Sequence, residues 1–208
     1  GLREILCAET ADTYFDAIDA ALRTDAFRPR ALFERFGIET IATTEDPLDP
    51  LQHHAKLRDE GWGRKVITTF RPDNVLNPET PGFSGNLDRL GDITGCDTAT
   101  YSGYLDALRN RRDFFRSHGA TASDHGHPTA ATFDLSEREA ADLFACVRGG
   151  NASPEDAELF RGHMLMEMAR MSQDDGLVMQ IHPGACRNHN APLWAAFGAD
   201  KGGEIPMR

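Results

Sequence analysis

Long apolar runs are missing from this sequence of 208 residues. Its densest stretch, Leu143-Phe144-Ala145-Cys146-Val147, is far shorter than the roughly 18 apolar residues that a membrane span needs. Positive charge is scarce: 22 Lys and Arg stand against 33 Asp and Glu, a net charge of −11. That balance argues against a nucleic-acid-binding module and against a basic membrane-surface protein. Cysteine is sparse, and Cys7, Cys96, Cys146 and Cys186 form no C-x-x-C pair of the zinc-knuckle or redox type. Four unpaired thiols in a reducing cytoplasm are the expectation. No G-x-G-x-x-G and no G-x-x-x-x-G-K-[ST] follows any strand-like run, so dinucleotide and P-loop readings lack support. There is no fixed-period repeat, no low-complexity tract, and no secretory signal pattern at the start.

What is present is an ordinary globular balance, 40% hydrophobic and 26% charged. Residues 1–35 read as a helical lead-in, with Tyr14, Phe15, Ile18 and Leu22 on one stripe. Four β-type runs follow: Ile38–Thr44, Lys65–Phe70, Ala120–Asp124 and Leu177–His182. The third is poor in β-formers and is placed mainly by its neighbours. Helices are expected over Asp49–Glu60, with Pro50 in the first turn, and over Tyr101–His118. Two more are expected over Ser136–Arg148, behind a Ser136-x-x-Glu139 capping box, and over Ser153–Met171. Strands alternating with helices predict an α/β fold with a parallel sheet and crossover helices. A closed (β/α)8 barrel uses eight strands and about 250 residues, so four strands amount to part of one.

In parallel α/β folds the chemistry gathers at the carboxyl ends of the strands. All four runs end in polar, proline- or glycine-punctuated segments: Thr43-Thr44-Glu45-Asp46-Pro47, Thr69-Phe70-Arg71-Pro72-Asp73, Ser123-Asp124-His125-Gly126-His127-Pro128 and Gln180-Ile181-His182-Pro183-Gly184. Asp46-Pro47 reads best as a helix N-cap followed by proline rather than as direct chemistry. Arg71 is either a surface ion-pair residue or a fork for a carboxylate anion, and the second reading is preferred. Asp124 and His125 are adjacent in a strand, so only one of them can face the mouth of the sheet. His125-x-His127 is half of a metal site at best. His182 suits a metal ligand or an acid/base, with a hydrogen-bonded core histidine as the alternative. His53, His54, His118 and His163 read as packing or surface residues, and Met164, Met166, Met168 and Met171 as core filler.

These segments, together with Phe114-Phe115 and Met179-Gln180-Ile181-His182-x-Gly184-Ala185-x-Arg187-Asn188, resemble uronate isomerase in order from about residue 30 to residue 190. Pro183, His127 and His189 depart from the family pattern. The resemblance implies a (β/α)8 barrel of the amidohydrolase superfamily that interconverts uronic acids, glucuronate with fructuronate and galacturonate with tagaturonate. It implies that residues 1–208 are an internal part of one barrel domain, holding its second to fifth strands. An H-x-H motif and a late aspartate of the family would lie outside them, leaving the chain inactive by itself. It further implies catalytic roles for Asp124, His125 and His182, substrate contacts from Arg71, Arg187 and Asn188, and a divalent metal, zinc, with His182 among its ligands. The partner expected is a small uronic acid, with neither nucleic acid nor membrane, and a homo-oligomer is compatible. A metal-dependent hydrolase of the same superfamily and a non-catalytic sugar-acid-binding module stay open as alternatives.

Overall fold

The computed structural model describes residues 3–186, 188–198, 201–202 and 205–206. The chain divides into two compact units, Gly1–Ile41 and Ala42–Arg208. In the first, α1 (Ala11–Leu22) and a short 3-10 turn precede α2 (Pro29–Arg35), which opens on a proline suited to a first helical turn. Phe33 is buried there, while Phe15 and Leu22 of the α1 stripe are exposed.

The second unit carries a four-stranded sheet in the order β1-β2-β3-β4. Its strands are β1 (Ile41–Glu45), β2 (Val66–Phe70), β3 (Ala122–His125) and β4 (Val178–Ile181). All four are parallel, as the alternation predicted: Phe70 pairs with Ser123, and Ala122 to His125 pair in register with Val178 to Ile181. The crossovers are helical. They are α3 (Gln52–Asp59), α4 (Asp73–Leu76), α5 (Phe83–Thr94), α6 (Tyr101–Ser117), α7 (Glu137–Arg148) and α8 (Pro154–Asp175). Beyond the sheet, β5 (Ala185–Cys186) pairs antiparallel with β6 (Ile205–Pro206), and α9 (Ala191–Phe197) lies between them.

The expected helices form, with shifted ends. The first strand starts three residues late because Gly37 turns with φ +61° and the Ile38 N–H bonds back to Phe33 at 3.1 Å, which closes α2. Pro50 lies outside α3: the Asp49 carboxylate accepts the Leu51 N–H at 2.6 Å, and Leu51 takes a left-handed conformation with φ 53° before the helix begins. Ser136 and Glu139 make the capping box, and Ser153 with Asp156 makes a second.

The core lies between sheet and helices. Phe70 meets Phe115 edge to face at 5.2 Å, and Tyr104 stacks on Phe144 at 4.8 Å while its hydroxyl donates to the Val75 carbonyl at 2.7 Å. Met164, Met168 and Met171 are buried in it, as expected of core filler, whereas Met166 is only half-buried. The poorly β-forming third strand is buried at all four positions, so its place between β2 and β4 overrides its propensity.

Candidate active site at the strand ends

Side chains alternate along a strand, and this sorts the polar residues of β3. Ser123 is in register with Phe70, whose ring packs onto α6, so Ser123 and His125 belong to the helix-facing side. Asp124 takes the other side. There it meets the residues that end β2 and β4: Asp124 Oδ1 lies 2.9 Å from His182 Nε2, and Asp124 Oδ2 lies 3.5 Å from Arg71 Nη1. Asp124 is 9% exposed at its side chain and His182 is 44% exposed, so the carboxylate is sunk and the imidazole opens outward.

Asp73 braces this trio. It accepts from Arg71 Nε at 3.0 Å, and both of its oxygens lie 3.2 Å from the Gly126 N–H. Gly126 is where the three strand ends crowd together. A Cβ on it would fall 2.6 Å from Arg71 Nη2, 2.9 Å from Asp73 Oδ2 and 3.1 Å from His182 Cε1. The His182 N–H donates to the His125 carbonyl at 3.1 Å, which carries the ladder one residue past β4.

Behind this rim, His125 and His127 are fully buried, with ring centroids 5.8 Å apart and planes at 90°. Burial lowers the His125 pKa to about 3, with His127, Arg112, His182 and Arg71 adding to the effect. Burial also lowers His127, although Asp73 pulls the other way. Both rings are therefore neutral at pH 7 and carry an available lone pair. Asp73, His125 and His127 are grouped closely enough that they could hold a cation.

Of the residues picked from sequence, Arg71, Asp124 and His182 come together, whereas His125 turns to the opposite side of β3. Asn188 is exposed after β5, with φ 54°, a conformation that asparagine tolerates. Arg187 lies outside the described residues. Asp46 is not the expected helix cap, because α3 opens six residues on with Leu51 before it; instead Asp46 accepts the Leu48 N–H at 2.7 Å and a bond from Asn74, which ties down the turn after β1. The bracing role of Asp73 was not read from sequence, although an Arg-x-Asp spacing was its signal.

A parallel sheet with crossover helices and ionisable groups at its carboxyl ends defines an α/β-barrel type of enzyme scaffold. A family model described as glucuronate isomerase matches residues 1–207. Uronate isomerases of Rhizorhabdus wittichii and Mesorhizobium japonicum are 62% and 57% identical over 208 residues, all of this chain and 45% and 44% of theirs. The crystal structure of glucuronate isomerase from Caulobacter crescentus superposes with a TM-score of 0.94 at 57% identity, covering 100% of this chain and 43% of that one. Uronate isomerase from Thermotoga maritima gives a TM-score of 0.90 at 27% identity, covering 100% and 46%. The chain belongs to the glucuronate isomerase family and to its (β/α)8-barrel fold. It spans about 45% of the length of the curated relatives it matches.

Proposed function

We propose that these residues form part of a uronate isomerase that interconverts D-glucuronate with D-fructuronate and D-galacturonate with D-tagaturonate. The observation that carries this reading is the convergence of Arg71 and His182 on Asp124, beside Gly126, at the ends of three adjacent strands. Aldose–ketose isomerisation takes a proton from C2 and delivers one to C1, while the oxygens exchange their hydrogen through an enediolate. It needs a base, an acid and a partner for the negative charge. The Arg71 guanidinium, held by Asp73, presents fixed donors to the substrate carboxylate in a protein of net charge −11. Asp124 orients His182, whose ring moves a proton at the sugar oxygens. Arg187 and Asn188 complete the substrate contacts, and His125 acts from behind by fixing the strand end.

A divalent metal, zinc by family resemblance, would stabilise the enediolate charge when bound. His182 would be one of its ligands in place of moving a proton, since the ring nitrogen left free by Asp124 serves only one of the two roles. Its Nε2 faces the Asp124 carboxylate at 2.9 Å, the arrangement that fixes a ligating imidazole's tautomer and leaves Nδ1 as donor. The remaining ligands would come from outside residues 1–208. Cys7, Cys96, Cys146 and Cys186 are all unpaired, which supports a reducing cytoplasmic setting. Among the described residues no helix is long and apolar enough to cross a membrane. Residues 1–35 would serve as a lead-in to the barrel.

Conversion of glucuronate to fructuronate by the whole protein tests the proposal. Arg71→Met should reduce kcat/KM on the order of 10²- to 10³-fold. Ester or lactone cleavage without isomerisation would turn the reading to a hydrolase, and tight uronate binding without turnover to a binding module.

A further inference from the structure

We propose that Asp73, His125 and His127 form a divalent-cation site of their own, behind the rim, which takes a zinc-like first-row ion and staples the end of β2 to the loop after β3. Each residue offers one donor atom, and these atoms lie within 4.8 Å of one another. His125 is 0% and His127 3% exposed, yet Nδ1 of His125 and Nε2 of His127 have no hydrogen-bond partner among the described residues. Unsatisfied buried polar atoms are costly, and two of them beside one carboxylate point to a shared ligand. Two neutral imidazoles and a carboxylate are the donor set of three-ligand zinc sites, and they also suit neighbouring first-row ions.

The other bonds of these residues suit the role. His125 Nε2 lies 3.1 Å from Ser123 Oγ, which holds the ring by one nitrogen and leaves Nδ1 for the ion. Asp73 can keep one oxygen on Arg71 Nε, now 3.0 Å away, and turn the other to the cation. Donors on metal bonds of about 2.0–2.1 Å at tetrahedral angles stand about 3.3 Å apart, so the group closes slightly around the ion. The site is separate from the Asp124–His182 pair because His125 and Asp124 leave β3 on opposite sides.

The test uses the whole protein, stripped by chelation and titrated with Zn²⁺ alone, counting bound equivalents by elemental analysis after desalting. His127→Gln should bind one equivalent fewer than wild type, with the remaining equivalents unchanged. Equal stoichiometry in the two proteins overturns the site. Should His127→Gln fail to fold, X-ray absorption on the wild type, loaded stepwise with Zn²⁺, decides. One step must add an ion with two imidazole and one carboxylate ligands, and the absence of such a step overturns the proposal. Neither measurement reads uronate turnover, so the isomerase reading and this one can fail separately.

Discussion

At the scale of single residues, the candidate site depends on an atom that glycine does not have. A Cβ on Gly126 would fall 2.6 Å from Arg71 Nη2 and 2.9 Å from Asp73 Oδ2. Both are ends of side chains that can swing aside, so Gly126→Ala should cost the fold only about 1 kcal/mol. Displacing the guanidinium from its place beside Asp124 matters far more, and we expect kcat/KM on glucuronate to fall on the order of 10²-fold. Steady-state kinetics and a urea titration on the whole protein check both halves; wild-type turnover would show that the placement of Arg71 does not matter. Arg71 and His182 were legible in the sequence because strand ends are where parallel sheets expose chemistry and each ends a recognisable run, whereas Asp124 ends a run poor in β-formers that only its neighbours placed. Asp73's bond to Arg71 left an Arg-x-Asp spacing in the sequence, but its bond to Gly126 was hidden because it joins residues 53 apart, a pairing that no local pattern encodes. That His125 faces away from Asp124 was half legible: alternation required the two to part, and only the register with Phe70 shows which goes where.

At the scale of elements, helix α6 is fastened to the end of α8 by charge in a dry place. Arg112 is 1% exposed and grips Asp175 through Nε at 2.5 Å and Nη2 at 2.9 Å, with Ser172 Oγ at 3.0 Å. Burial pushes the Asp175 pKa up, but bonds from Arg112 and from the Leu177 N–H outweigh it and bring the carboxyl below its usual range. Asp175→Ala leaves the guanidinium buried and unpaired, and the expected loss is about 3–5 kcal/mol in a urea unfolding titration. An unchanged midpoint would mean that water reaches Arg112. Between α6 and α8, Tyr101 Oη also meets His163 Nε2 at 2.7 Å. Burial lowers the His163 pKa, although Glu167, Asp134 and the Phe133 carbonyl favour the charged ring; Arg170 reinforces the lowering. With the folded pKa below the unfolded value of about 6.5, the unfolded chain binds the proton first. This contribution is therefore complete above about pH 6.5 and is lost as pH falls below it. Wild type should lose more of its urea midpoint between pH 7.5 and 5 than His163→Gln does; equal losses would remove His163 from the account. The long helices were legible from periodicity and capping boxes. Helix α5 was missed although Phe83, Leu87 and Leu90 are spaced for one buried face, because Gly82, Gly85, Gly91 and Gly95 suggest a loop.

At the scale of the whole molecule, the sheet ends on both sides at strands with an open edge, β1 and β4. Val178 is 64% and Ile181 46% exposed on β4, which is apolar exposure that an edge strand normally avoids. The relatives that this chain matches are more than twice its length, and a (β/α)8 barrel closes its sheet on itself, leaving no edge. We therefore expect residues 1–208, expressed alone, to self-associate through β4, and the longer protein not to do so. Val178→Lys separates this from general insolubility. A charge on an open edge opposes strand-to-strand pairing, so it should shift the 208-residue chain towards monomer in size-exclusion chromatography with light scattering. In the whole protein the same lysine would sit against a neighbouring strand and should cost about 1–3 kcal/mol. A monomeric, cooperatively melting 208-residue chain, indifferent to the lysine, would show that the half-sheet satisfies its own edges.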